Sequence, residues 1–302
     1  MKQNAMRTYR LFCIMAIMMA IGAHVSGQTV LQVASRVIEK TFPYQMGSEL
    51  NIEGQKAEIR ISTWERDEVR ISLQIIARHP EKHEAARSLE AMKWKVDQHN
   101  QKIYFRNYID ESMHPKAALK AVYTILLPAD CPVYLKNYFG LTDVQQLAHR
   151  LHINSEFSKT WLRQLKGDIR VISSYGDVEG DGLSGNVFIQ ATRGDITLHH
   201  ITGQLDLVSQ YGIVKLFTSP HGPPLSLNIT AEKSDVYFFD AQPSLYGYRL
   251  TAHYGNITAP ADLRFNYIEN TRSLKRAVFN PNKEMGTISI KITLGDIVIR
   301  NP

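Results

Sequence analysis

From residue 133 the chain alternates apolar and polar residues in short runs, and from residue 167 a glycine opens each run. Gly167, Gly176, Gly185, Gly194, Gly203 and Gly212 stand nine residues apart, and units such as Gly167-Asp168-Ile169-Arg170-Val171 and Gly194-Asp195-Ile196-Thr197-Leu198 share one form. Alternation with period 2 predicts a short strand with one buried face. A glycine before each strand predicts a tight turn, where positive φ is cheap only without a Cβ. Nine residues thus make one strand and one turn, and two units make a circuit of about 18 residues.

The apolar positions repeat at that longer interval. One inward series reads Val133/Leu135, Leu151/Ile153, Ile169/Val171, Val187/Ile189 and Leu205/Leu207. The other reads Thr142/Val144, Thr160/Leu162, Val178 with Gly180, Ile196/Leu198 and Val214/Leu216. Such self-similarity is the signature of a solenoid whose coils stack in parallel about 4.8 Å apart. A single coil buries too little apolar surface to fold alone, so only the stack is stable. Strict register spans Val133 to Leu216. It then loosens: an insertion falls at Pro220 to Pro224, and later circuits start near Ser234 and Gly255, 21–22 residues apart. A last strand lies at 288–299, and the polar stretch 265–284 is expected to be a long loop or cap.

Residues 28–130 lack the glycine period. Longer alternating strands are expected around Leu50/Ile52, Ile59/Ile61 and Val69/Ile71/Leu73, then at 94–96, 102–105 and 121–127. Glu81 to Met92 reads as one amphipathic helix, with Pro80 before its start and Ala85, Leu89 and Met92 on one side. This third is expected to cap the N-terminal end of the stack, where unpaired strand edges invite aggregation.

The segment 1–27 reads as a secretory leader. Lys2, Arg7 and Arg10 precede the apolar run Leu11 to Ile21, which is short for a membrane span, and Val25-Ser26-Gly27 offers a cleavage point. Its removal lowers the formal net charge from +6 to +3, a modest value that does not favour a nucleic-acid partner. Cys13 lies inside the leader and leaves Cys131 alone, so no internal disulfide is expected.

Several stretches carry a family resemblance. Ile59-Arg60-Ile61-Ser62-Thr63-Trp64 is followed by Asp67-Glu68-Val69-Arg70-Ile71, then Leu126-Leu127-Pro128, then Tyr175-Gly176-Asp177-Val178 and the Gly-Asp-Ile units, closing on Gly295-Asp296-Ile297. Over residues 35 to 300 the chain resembles the exported bacterial β-solenoid proteins labelled "putative adhesin", a domain family of unknown function. The resemblance implies surface adhesion. With no lipid-anchoring cysteine or sorting signal in view, a periplasmic place fits equally.

Candidate chemistry follows from stacking. Asp177 and Asp195, 18 apart, would lie on the order of 5 Å from each other, a spacing at which paired carboxylates can cleave glycosidic bonds. Asp also suits turns through bonds to nearby backbone, and Asp168, Asn186 and Gln204, with Arg150 beneath, fit one such ladder. Calcium-binding β-rolls share the nine-residue period, but their glycine doublets are missing here and the charge is positive, so no metal is expected. A second column reads Phe139, Phe157, Tyr175, Arg193 and Tyr211. It is a candidate binding strip for sugar rings or a protein, or a ladder that steadies the corners through cation–π contact. The histidines follow no metal-ligand spacing; the neighbours His199 and His200 would point to opposite faces if both lie in a strand.

The sequence thus predicts an all-β chain: leader 1–27, β-rich capping region 28–130 with one short helix, and parallel β-solenoid 131–302 with a C-terminal cap. It is expected to be a non-enzymatic, exported cell-envelope protein, periplasmic or at the surface. Adhesion, scaffolding or protein binding would be its role, with a protein or glycan partner, no cofactor, and no membrane insertion after leader removal. Two alternatives are a glycan-active hydrolase or lyase using the stacked carboxylates, and a periplasmic component of an envelope-stress response.

Overall fold

The computed structural model describes residues 30–218, 225–281 and 286–301. Among them the chain is mostly β. Twenty-one strands hydrogen-bond into one large sheet that does not close, accompanied by one α-helix. The expected leader and the insertion at 220–224 lie outside the described residues.

From Val133 to Phe217 each strand pairs in parallel with the segment one circuit further on. Val133 pairs with Leu151 and Leu135 with Ile153. Ile169 pairs with Val187, and Val187 in turn with Leu205. On the other side Thr160 pairs with Val178, Val178 with Ile196, and Ile196 with Val214. All these residues are buried. A third buried column, Leu147, Leu165, Leu183 and Ile201, completes the interior. The third side contributes one inward side chain per circuit, too few to show as alternation.

Glycine plays two roles at the turns. Gly167, Gly185 and Gly203 have φ of +123°, +101° and +91°, the expected left-handed use. At Gly176, Gly194 and Gly212 the expectation fails: the preceding Tyr175, Arg193 and Tyr211 take the positive φ, at 57°, 56° and 59°. Glycine is needed there for close approach. A Cβ on Gly194 would sit 2.2 Å from the carbonyl oxygen of Gly176, and one on Gly212 2.2 Å from that of Gly194. Where glycine is absent at this corner, buried Ser158 and Ser234 take its place, and each hydroxyl accepts the N–H of the glycine one level away, Gly140 and Gly212.

Parallel pairing continues on the N-terminal side. Glu49–Gln55 and Ala57–Thr63 lie beside Val133–Gln145, with Ile52 opposite Leu135 and Ile59 opposite Thr142. Lys102–Ile109 and Ala118–Leu127 pair parallel on these two in turn. Beyond them direction reverses: Met92–His99, Glu68–His79 and Gln32–Pro43 are antiparallel additions. The helix is shorter than expected, Lys82–Leu89, because Met92 already starts a strand. Ala85, Leu89 and Met92 are all buried as their spacing implied.

The C-terminal end departs from sequence order. The pairing interval widens, with Leu205 opposite Leu227 and Val214 opposite Val236. The next level is then formed by the end of the chain: Ile288 pairs with Leu227 and Ile297 with Val236. Gly247–His253 lies outside that level, with Leu250 opposite Ile290. Circuits were expected to follow in sequence; instead 287–300 is inserted between the 225–239 and 247–258 levels. The stretch expected as an irregular loop holds a hairpin, Asn266–Asn270 and Leu274–Phe279, whose second strand pairs antiparallel with Gly247–His253.

Two outcomes follow. Gly194→Ala should cost about 1–3 kcal/mol in urea unfolding, as overpacking against backbone does. That is more than Gly182→Asn, where the nearest atom to a new Cβ is 3.5 Å away and asparagine tolerates the glycine's φ of +70°; equal losses would count against the close-approach account. Cys131 is buried, and burial followed by nearby Asp130 pushes its thiol up to about 12. It should therefore resist alkylation by iodoacetamide until the protein is unfolded.

Candidate functional site

The corner carrying Phe139, Phe157, Tyr175, Arg193 and Tyr211 forms an outward ridge. All five have φ between 50° and 62°. Backbone hydrogen bonds lock the levels together: Tyr175 N–H donates to Thr192 O, Arg193 N–H to Gln210 O, and Tyr211 N–H to Glu232 O. The column is longer than the sequence indicated. Lys56 lies on one end, its N–H bonded to Tyr138 O, and Lys233, Leu294 and Tyr254 extend the other through bonds to Thr293, His253 and Ser273. These four are also left-handed, with φ of 49°, 50°, 59° and 52°. Nine levels at the parallel-strand spacing make a ridge about 38 Å long. The added members were invisible because the intervals at this end of the chain are irregular and the last level is out of order.

Side chains along the ridge stack on one another. Phe139 and Phe157 are 4.9 Å apart with planes 2° from parallel, and Phe157 and Tyr175 are 4.8 Å apart at 10°. The Arg193 guanidinium sits 5.2 Å from the Tyr175 ring centre and 5.6 Å from that of Tyr211, bridging them as expected. Its Nη1 donates to the Tyr175 hydroxyl at 2.5 Å. Lys233 repeats the arrangement, with Nζ 4.8 Å over Tyr211 and 3.1 Å from its hydroxyl, a bond that raises the lysine pKa. A left-handed non-glycine residue costs about 1–2 kcal/mol. Aromatic pairs return about 0.5–1.5 kcal/mol and cation–π contacts about 0.5–2. Stacking therefore roughly offsets the strain, while Phe139, Tyr175 and Tyr211 stay 54%, 46% and 48% exposed. Their faces cover each other, so what reaches solvent is ring edges, hydroxyls and cations. A shallow recess of about 350 Å³ opens on the ridge between Tyr211, Lys233, Asp235 and Leu294.

The adjacent column explains the aspartates. Asp177 Oδ1 accepts the N–H of Asp195 at 2.9 Å, and Asp195 Oδ1 accepts that of Ile213 at 2.8 Å. Asp235 caps Asp296 and Asp296 caps Asn256 in the same way. Each carboxylate thus satisfies a backbone donor one level on. Asp177 and Asp195 are brought together as neighbours, but as links in this chain of caps. On the other corner Arg150 Nε lies 3.5 Å from Asp168, and Asn186 sits in register between Asp168 and Gln204.

His199 ends a strand and His200 sits at the turn beyond it with φ 52°, so the condition for opposite faces is not met. His200 bonds Asp181 at 2.6 Å, while His199 stacks on Phe217 at 4.4 Å. Among the described residues no group of three or more His, Cys, Asp or Glu could hold a metal, and no helix is long and apolar enough to cross a membrane.

No family model matches the chain, and no curated protein matches it. Two solved structures are similar to it. One is described as a "putative cell adhesion protein" from Clostridium sporogenes, at 11% identity over 88% of this chain and 100% of that one, with a TM-score of 0.27. The other is described as a "putative adhesin" from Bacteroides fragilis, at 12% identity over 87% and 97%, with a TM-score of 0.42. Neither likeness bears on the ridge.

Removing one cap tests the aspartate column. Asp195→Ala should lower stability by about 1 kcal/mol, the scale of a lost side-chain cap. Asp195→Asn, which keeps an acceptor oxygen, should restore most of it in the same urea titration.

Proposed function

We propose that the protein is a non-enzymatic, exported envelope protein built as a parallel β-solenoid with coils of about 18 residues. The β-rich part of 28–130 with its short helix closes one end and the 266–279 hairpin the other. The ridge of Phe139, Phe157, Tyr175, Arg193 and Tyr211 is its contact with a protein partner, in adhesion or scaffolding.

One observation carries this reading. A left-handed corner is cheapest with glycine or asparagine. The other corners of the circuit use such solutions or polar ones: Gly167, Gly185 and Gly203 at one, Gln146, Gln164, Gly182 and His200 at the other. This corner instead holds half-exposed aromatics and cations, a composition that marks protein interfaces. Because the ring faces are taken by each other, the ridge offers edges to a partner and little surface for a sugar to stack on. Export rests on the leader at residues 1–27.

Against a glycan-cleaving role stand the caps: Asp177 and Asp195 each spend an oxygen on a neighbouring backbone N–H. A periplasmic stress-response role would use the same ridge on a different partner, the exported part of a membrane regulator.

The test is binding of the purified protein to immobilised envelope fractions. Tyr175→Ala with Tyr211→Ala should keep the β-sheet circular dichroism and lose at least about 90% of binding, the effect expected of aromatic anchors. Protease treatment of the fractions should abolish binding by the parent. Binding that survives either the double substitution or the protease would overturn the ridge as a protein contact.

A further inference from the structure

A separate groove of about 610 Å³ crosses the outward face of the first levels of the stack. That volume lies in the range of sites that enclose small ligands. Parallel register builds its walls. One row runs from Tyr104 through Asn51 and Tyr134 to His152, each beside the next. The row alongside runs from Arg106 through Glu53 to Lys136. Lys95 and Arg170 add further cations, and Asp97 a second carboxylate.

The four cations outnumber the two carboxylates of the groove. Nearby Lys102 and Arg150 are paired with Glu49 and Asp168. Lys95, Arg106, Lys136 and Arg170 make no ion pair among the described residues. Two of them are held by aromatic rings instead: the Arg170 guanidinium lies 4.3 Å over Phe188 and that of Arg106 5.4 Å over Tyr108. A stacked guanidinium keeps its in-plane N–H donors free for a bidentate acid group.

The aromatics differ from those of the ridge. Tyr134 and His152 meet edge to face, 4.9 Å apart at 76°, so only one ring face of the pair is covered by the other ring. Burial holds the His152 imidazole below its usual pKa, with Asp168 opposing and Arg150 and Arg170 reinforcing the shift. A neutral imidazole offers one donor and one acceptor, which suits a hydroxyl. Glu49–Gln55 and Val133–Gln145 are hydrogen-bonded on both sides, so a peptide finds no free strand edge along the floor.

We propose that this groove binds an anionic oligosaccharide, with carboxylate or sulfate groups on Arg106, Lys136 and Arg170 and a sugar ring against Tyr104 and Tyr134. The site is independent of the ridge and of the protein contact proposed there.

Calorimetric titration of the exported full chain tests it with four probes: a short oligouronate, a sulfated oligosaccharide of equal length, a neutral one, and an oligoglutamate peptide. At least one acidic sugar should bind, and the first two arms tell carboxylate from sulfate. The neutral sugar and the peptide should each bind at least about tenfold more weakly. Lys136→Ala with Arg170→Ala should weaken the acidic sugar by about tenfold or more. Tyr175→Ala with Arg193→Ala on the ridge should leave it unchanged. The proposal is overturned if neither acidic sugar binds, if the Lys136/Arg170 variant binds like the parent, or if oligoglutamate binds as tightly as the sugars.

Discussion

At the glycine levels of one corner, a carbonyl oxygen of the neighbouring level occupies the space where a Cβ would be. The ideal Cβ of Gly176 would fall 2.1 Å from Ser158 O, and that of Gly295 2.1 Å from Ser234 O. Strands about 4.8 Å apart leave no room for a side chain at those glycines, whereas Ser158 and Ser234 seat a Cβ on their levels and accept the N–H of Gly140 and Gly212. The remaining features of the corner follow. The residue before the glycine must turn left-handed and so points outward. The residue after it starts a strand whose N–H needs a partner, and an aspartate from the level before supplies one. Ridge and cap column are two consequences of one close approach.

Much of this was legible because neighbours in space are neighbours at a fixed interval in sequence. Ile169, Val187 and Leu205 could be aligned by counting, and so could Phe139, Phe157 and Tyr175. Legibility ended where the interval did. Gly255-Asn256-Ile257 and Gly295-Asp296-Ile297 are near-copies, and nothing local in either says which stacks on Val236. In the structure Ile297 stacks on Val236, and the 266–279 hairpin covers the 247–253 level. The third buried column was missed for a different reason: Leu165 is a lone inward residue between a turn and a lysine, so it shows no alternation, although its column repeats at the same 18-residue interval. The glycine turns were located correctly but explained wrongly at one corner. Positive φ and close approach both select glycine, and sequence cannot separate them.

The groove was illegible for a further reason. Its walls combine Tyr104, Asn51 and Tyr134, which lie far apart in the chain and join through pairings between Lys102–Ile109, Glu49–Gln55 and Val133–Gln145. These segments have no common period. The ridge and the groove also divide the chemistry of aromatic residues between them. Rings stacked face to face give an edge-lined strip that suits a protein, whereas rings at right angles cover one face of the pair and leave more ring face for a sugar. Both depend on the same stacking, since register alone decides which rings meet and at what angle.

Cross-linking measures that register directly. Thr197 and Lys215 face each other on adjacent levels, so cysteines placed at both should have Cα atoms about 4.8 Å apart, within disulfide reach. Cysteines at Thr197 and Phe217, two residues out of register on the same face, would be roughly 8 Å apart and beyond it. Mild oxidation should close the first pair to near completion and leave the second open. If both pairs close equally, or only the second, residues 18 apart are not stacked and the ridge, the caps and the groove lose their basis.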